Sequence, residues 1–341
     1  MREIGARVDI LRNGATYGEL AFVEPPRIDA SADADIFISM SGRFLYRGDV
    51  NWMSDELRPV LTIDGADAPL ATLEIATKQD EYTEQGAHYV RLTCYDRALL
   101  VQQTKAEHTV FFAAGTLYLA AVTQLLTAAG IVLVIRTDSA AALSTDREWQ
   151  IGEDYLSIIN GLLSEINYEP LWFDASGAAV LQPASDPDPS RIAHRYDRGK
   201  FSILRPGVRA SLDAFAAPNV FVVLCSNPEL EEPLVARAEN NNPLSSLSIL
   251  RRGRRITGVF NVDNTPGQAE LDAYARRLAS ESMLRSETVT ISTGADGAHG
   301  RLDVVSLDHP ELGGIFSETG WSMELQAGAA VSRTLRRMIL L

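Results

Sequence analysis

The sequence has only two cysteines among 341 residues, Cys94 and Cys225. They lie far apart inside apolar runs with no CxxC partner. That excludes a disulfide framework or a cysteine-rich metal site and leaves two buried thiols. Aromatic residues are scarce and scattered, at 7%, which weakens any reading as a stacking platform for sugars. Basic residues are also short: 31 Lys and Arg face 45 Asp and Glu, a net charge of −14. Gripping nucleic acid requires cations that displace phosphate counterions, so a basic groove is excluded. No run approaches the ~20 apolar residues of a bilayer span. The opening MREIGARVDILRNG has neither an apolar block nor a small-residue cleavage site, so assembly in a cytoplasm is expected.

Signatures of chemistry are missing too. His88 and His108 lack a carboxylate or cysteine at ligand spacing such as HExxH. No GxSxG elbow accompanies the serines. Asp186 and Asp188 have no glutamate to close a calcium loop, and Gly313-Gly314 is no phosphate cradle. His299 and His309 flank Asp303 and Asp308, which invites a metal or acid–base reading. His309 precedes a proline, and a surface turn is the better account. The basic run Arg251 to Arg255 reads as an interface or a solvated turn. The expectation is therefore no catalytic, cofactor-binding or metal residue, and no enzyme.

What is present is periodicity, clearest between Asp146 and Pro183. Tyr155, Ile158, Ile159, Leu162, Leu163 and Ile166 fall on one helical stripe. Glu153 and Asp154 are expected in the first turn, where the helix dipole favours negative charge. Asn167 can close the helix in a left-handed conformation, and Pro170 stops it. Glu165 points off the stripe, so its removal should cost little. Leu171 to Asp174 and Ala178 to Leu181 flank a Ser-Gly turn and predict a hairpin, with Trp172 and Phe173 both on the helix.

The rest of the chain is mostly strand. Residues 1–112 carry short alternating segments: Val8 to Leu11, Ala34 to Met40, Leu57 to Ile63, Thr72 to Thr77 and Tyr89 to Asp96. Turn signals at Asn13-Gly14, Asp64-Gly65 and Gln85-Gly86 punctuate them, which implies a barrel or sandwich. A short helix is expected from Arg97 to Gln103. Residues 113–185 form a small α+β unit. Its first helix starts from Thr116 as N-cap and ends at Gly130, and the run Ile131 to Ile135 is expected as a buried strand. Residues 186–198 read as a linker because prolines alternate with aspartates. Residues 199–341 form a second β region, with room for a small inserted subdomain. Here Val220 to Cys225 should pair with Leu234 to Glu239 across Asn227-Pro228. A helix is expected over 268–283, started by a capping box at Thr265-Pro266-Gly267-Gln268. Strands follow at Glu287 to Ser292, Leu302 to Leu307, Trp321 to Leu325 and Thr334 to Leu341. The fold class is mixed, β-rich α+β.

One set of residues goes further than periodicity. The string Gly152…Leu156…Ile159-Asn160…Leu163…Ile166-Asn167-Tyr168…Leu171-Trp172-Phe173-Asp174…Gly177…Val180-Leu181-Gln182-Pro183 resembles the tail hub proteins of long-tailed phages. These are minor tail, tail-tip or tail-associated proteins of the baseplate hub family. The likeness continues in Trp52 to Gly65, Tyr95 to Leu100, Asn219 to Val223, Ser248 to Arg255 and Gln268 to Leu271, so it covers nearly the whole chain. Its motifs are packing and turn patterns, not chemical signatures. The resemblance implies two tail-tube-like β-barrel domains joined by a smaller α+β domain, with three copies closing a ring that adapts a six-fold tail to a three-fold tip. It implies a homotrimer that meets the distal tail or tail-tube ring, the tape-measure protein and tip or receptor-binding proteins. DNA would transit without specific binding, past lumen loops poor in basic residues. Relatives with lytic activity carry a C-terminal extension; this chain stops at Leu341, so that activity is not expected. The alternatives are a receptor- or carbohydrate-binding tail-tip module and, least favoured, a cell-wall hydrolase.

Overall fold

The computed structural model describes residues 3–48, 50–184, 188–200, 202–212, 218–225, 233–243, 245, 247–262, 265, 267–297 and 299–337. The first region holds β1 (Ile4–Arg12), β2 (Ala15–Glu19), β3 (Arg27–Ser31), β4 (Ile38–Leu45), β5 (Glu56–Ile63), β6 (Ala66–Pro69), β7 (Leu73–Tyr82) and β8 (His88–Asp96). Then come α1 (Ala98–Gln103), β9 (Val110–Phe112), α2 (Tyr118–Ala128), β10 (Val134–Arg136), β11 (Arg147–Trp149), α3 (Tyr155–Glu165), β12 (Trp172–Phe173) and β13 (Ala179–Leu181). The last region holds β14 (Ile192–Tyr196), β15 (Arg209–Leu212), β16 (Val220–Cys225), β17 (Leu234–Glu239), α4 (Ile249–Arg252), β18 (Thr257–Val262), α5 (Gln268–Ser286), β19 (Glu287–Thr293), β20 (Val304–Leu307), β21 (Gly314–Glu324) and β22 (Val331–Arg337). Among the described residues no helix is long and apolar enough to cross a membrane.

The turn signals act as the sequence predicts. Asn13-Gly14 and Asp64-Gly65 both adopt positive φ and join antiparallel partners β1–β2 and β5–β6, as two-residue hairpins of the primed type require. The alternating run from Ala34 is a correction. Its strand begins only at Ile38, and Ala34 N–H donates to Ser31 O in a turn.

The two β-rich regions share one sheet. Fourteen strands run in the order β15-β19-β22-β21-β3-β4-β8-β7-β5-β1-β2, with β20 and β14 attached beside β21 and β6 beside β5. The joint is the antiparallel pair β3–β21, from Ser31↔Gly320 to Arg27↔Glu324. Beyond β2 the chain touches β4 at one isolated bridge, Phe22↔Phe44. Around it Val23 N–H donates to Arg43 O and Leu45 N–H to Ala21 O. No full ladder closes either region into a barrel among the described residues.

A bulge keeps β21 in step with β22 as both strands pass from one core to the other. Its register shifts by one residue between Glu318 and Gly320, and one extra residue exchanges the faces of what lies beyond it. Trp321 and Met323 therefore share a sheet face with Phe316 and Glu318, with Phe316 in one core and Trp321 and Met323 in the other. At the joint, a Cβ on Gly320 would stand 2.6 Å from Ala30 O. Gly320→Ala must push two backbones apart, and ~1–3 kcal/mol of stability should be lost. Unchanged denaturation midpoints would show that the rungs are looser than described.

Each β-rich region carries a satellite of one three-stranded mixed sheet with helices. The first orders β10-β13-β12 and packs on α2 and α3. The second orders β17-β16-β18 and packs on α5, which extends three residues past the predicted end at 283. In the first satellite, Asp154 is the N-cap of α3, and its carboxylate accepts from Ser157 N–H. Glu153 precedes the helix and accepts from Gln150 N–H. Neither residue lies in the first turn. Asn167 does take the left-handed conformation. For α2 the N-cap is Leu117, not Thr116, and no side chain caps it.

Phe173 joins the helix core, whereas Trp172 faces the first β core and meets Phe37 edge-on at 6.1 Å. Neighbours on a strand point to opposite faces, so the two could not share one. The run Ile131 to Ile135 is not a buried strand. Ile131 is buried, but Val132 is 79% and Ile135 54% exposed. Only Val134–Arg136 forms strand, parallel to β13 at the end of that sheet. Among the described residues nothing covers the outer face there, so apolarity alone misled.

The expected linker over 186–198 is largely structured: Pro189–Arg191 make a 3-10 turn capped by Asp188, and β14 pairs parallel with β20. Residues 185–187 lie outside the described ones, as do the Asn227-Pro228 turn, Pro266 of the capping box and the end of the closing strand beyond Arg337. Cys94 and Cys225 are buried thiols, and burial pushes Cys94 up to about 12.

Acidic groups in the first region set an expected pH dependence. Asp96 is buried where β8, β4 and α1 meet, and accepts from Ile38 N–H and Ala98 N–H. Burial raises it to about 6. Burial, then the charge of Glu56, raises Glu74 to about 7. Groups raised in the fold stabilise fully below their unfolded pKa and lose that contribution as pH climbs through the folded value. Stability should therefore fall between about pH 4 and 7, and Glu74→Gln should flatten the slope. A melting temperature indifferent to pH in both proteins would refute this.

Candidate functional site: an ionic layer between two cores

Three neighbouring strands pass from one core to the other and place polar residues at the crossing. On β19, Val289 and Ile291 belong to the second core, Thr293 sits at the crossing, and Ala295 beyond it belongs to the first. On β22, Leu335 and Val331 bracket Arg333 in the same way, and on β21 Phe316 and Trp321 bracket Glu318. Arg333 is only 1% exposed and Glu318 2%.

Arg333 organises the layer. Its Nη1 donates to Glu318 Oε1 at 2.7 Å, its Nε donates to Thr293 Oγ1 at 3.0 Å, and its Nη2 pairs with Asp296. Tyr196 Oη donates to Asp296 Oδ2 at 2.9 Å. His299 Nδ1 is held by Glu318, with Arg333 Nη1 3.1 Å away. Burial alone would raise Asp296, but the nearby His299 imidazole and the charge of Arg333 hold it below the usual range. Burial opposes charge on His299, yet the Asp296 and Glu318 carboxylates keep it above the ordinary histidine value. Close by, His194 stacks on His299, with ring centroids 3.6 Å apart and planes within 12°.

Beside this layer a cleft separates the first satellite from the sheet. Asp33, Asn160, Tyr168, Arg277, Arg301 and Arg336 are among its lining residues. Its arginines are engaged: Arg301 with Glu169 and Ala32 O, Arg336 with Asp33, and Arg277 with Tyr168 O. These contacts fasten three parts of the chain together and offer no open anion site.

The structure brings His299 and Asp303 together but leaves their sequence neighbours elsewhere. His309 Nδ1 accepts from Glu311 and Leu312 N–H in a turn, and Asp308 faces Arg198. Gly313 lies tight against His309 O. His88 stacks on Tyr82 and bonds Asp80. Arg251 and Arg252 end α4, Gly253 closes it in the left-handed region, and Arg255 pairs with Glu239. That run is a capped turn, not a free patch. His194, Asp296, Glu318 and Arg333 escaped the sequence reading. The available signal was modest: Asp296 and His299 stand three apart before Asp303, and His194 shares a strand face with Tyr196.

No known protein family and no curated protein matches the sequence. Solved structures do match, end to end. The tail protein from Neisseria meningitidis aligns with a TM-score of 0.70 at 16% identity, over 98% of this chain and 97% of that one. The 43 kDa tail protein of prophage MuSo2 from Shewanella oneidensis aligns with a TM-score of 0.67 at 12% identity, over 97% and 98%. A prophage tail protein from Listeria monocytogenes aligns with a TM-score of 0.59 at 11% identity, over 97% and 94%. The chain has the fold of phage tail proteins.

Proposed function

We propose that this chain is a structural component of a virion tail, a trimeric hub at the tail tip that caps the tail tube and adapts a six-fold tube to a three-fold tip. DNA and the tape-measure protein pass through it, and it has no enzymatic role. The observation that carries the reading is the end-to-end likeness to the Neisseria tail protein, over 98% of this chain.

The doubled plan supports it. A hub of three chains under a six-fold tube must offer two similar docking surfaces per chain, and both β regions here bear a mixed three-stranded satellite. In this proposal residues 1–112 and 199–341 act as two tube-like barrels joined edge to edge at β3–β21, with residues 113–185 lying outside the ring. Each barrel meets the other barrel of the next chain, because closed rings need heterologous contacts. Exposed Val132, Leu133 and Ile135 give the first satellite an apolar rim suited to a neighbour in the tail. The charge of −14 per chain suits a bore that DNA must pass without sticking. Its partners are then the distal tail ring, the tape-measure protein and the tip or receptor-binding proteins, joined in the host cytoplasm.

Imaging of assembled tails with this chain located tests the proposal. Three copies at the end of the tube are expected; six copies, or a position away from that end, would refute the hub.

A further inference from the structure

We propose that His194, His299 and Asp303 bind one divalent transition-metal cation of the zinc class per chain. Each offers one donor atom, and these atoms lie within 4.8 Å of one another. Two ligands of one zinc-like ion stand at most about 4.2 Å apart, given bonds of ~2.1 Å. The in-plane lone pairs of parallel rings cannot converge on one ion, so the His194 ring must leave its stack on His299; His194 and Asp303, which keep 22% and 27% of their side-chain surface exposed, have the room to turn. His194 Nε2 already stands 3.4 Å from Asp303 Oδ2.

A second observation points independently to a ligand. His299 Nε2 is fully buried and makes no hydrogen bond; Asp296 Oδ1 lies 3.3 Å away but outside hydrogen-bond geometry. The other ring nitrogen, Nδ1, is held by Glu318. A carboxylate on one imidazole nitrogen fixes the tautomer and leaves the opposite lone pair for a metal, the usual outer support of a metal-bound histidine.

Charge argues the same way. Asp296, Asp303 and Glu318 bring three carboxylates to the layer, and Arg333 answers Asp296 and Glu318. Arg301 and Arg336 are committed to Glu169 and Asp33. Three carboxylates against one guanidinium favour a bound cation over a bound anion. Two imidazole nitrogens and one carboxylate select zinc, cobalt or nickel over calcium and magnesium, which prefer oxygen cages. The partial exposure of His194 and Asp303 leaves an entry path and room for a water ligand. The ion would tie β14 to the turn before β20, across the parallel ladder between them.

The test uses the untagged full chain, stripped with chelator and titrated with Co(II) and then Zn(II). We expect saturation at one equivalent, visible d–d bands that Zn(II) abolishes, and a melting temperature raised by metal. His194→Ala and Asp303→Asn should each weaken binding by about tenfold or more, while His309→Ala should bind like the parent. Absence of one-equivalent saturation in the parent chain overturns the site whatever the variants do. Binding that survives both substitutions overturns it too, and so does its loss in His309→Ala.

Discussion

Arg333→Met should cost the protein about 3–5 kcal/mol, the usual penalty for breaking a buried ion pair from one side. The methionine fills the space, so the loss is electrostatic. Glu318, 2% exposed, and Asp296 would be left in the interior with no guanidinium between them. Thr293 Oγ1 would also lose its donor. Removing the second partner should return part of the stability, so Glu318→Gln in the Arg333→Met background is expected to be more stable than Arg333→Met alone. Urea unfolding at constant slope reads both quantities. A loss below about 1 kcal/mol, as for exposed pairs, would mean that water reaches the layer and that its charges are solvated.

The second large effect sits on α3, where the sequence suggested that Glu165 was dispensable. In the fold its carboxylate accepts from Tyr118 Oη at 2.7 Å and from Arg147 Nη1 at 2.6 Å. Its side chain is 8% exposed, and Tyr118 is fully buried. Glu165→Ala would leave a buried hydroxyl and a half-buried guanidinium without this acceptor, at about 3 kcal/mol. That places it beside Leu163→Ala, for which ~2–5 kcal/mol is expected from the cavity left behind. Glu148→Ala, at an exposed site, should stay within about 0.5 kcal/mol. If Glu165→Ala behaves like Glu148→Ala, the carboxylate is not the tie between α2 and α3 described above.

Local order was legible in the sequence wherever one face meets one core. The stripe of α3, the Asn13-Gly14 and Asp64-Gly65 hairpins and the strand over His88–Asp96 all follow from period and turn chemistry. What escaped was set by partners distant in the chain. Trp172 turned from the helix because the first β core lies on its side of the hairpin. The run from Ile131 looked buried because apolarity says nothing about which layer is absent. Glu165 looked free because Tyr118 and Arg147 reach it only in three dimensions. The ionic layer was the least visible: its residues are spread from His194 to Arg333, and each looks ordinary among its own neighbours.

The β3–β21 joint also sets an order of events during synthesis. Ser31 and Gly320 are paired, yet roughly 290 residues separate them, and a ribosome adding about 5–20 residues per second needs some 15–60 s to bridge that interval. Throughout it the outer edge of β3 has no strand to receive its backbone groups, and an unpaired edge is an invitation to another chain. Ala30 and Ile28, which face the first core, stay partly uncovered for the same time. Newly made copies therefore pass through a window in which pairing with each other competes with pairing with their own C-terminal strands. Crowded expression should widen that hazard, and slower production or a shared chaperone should narrow it.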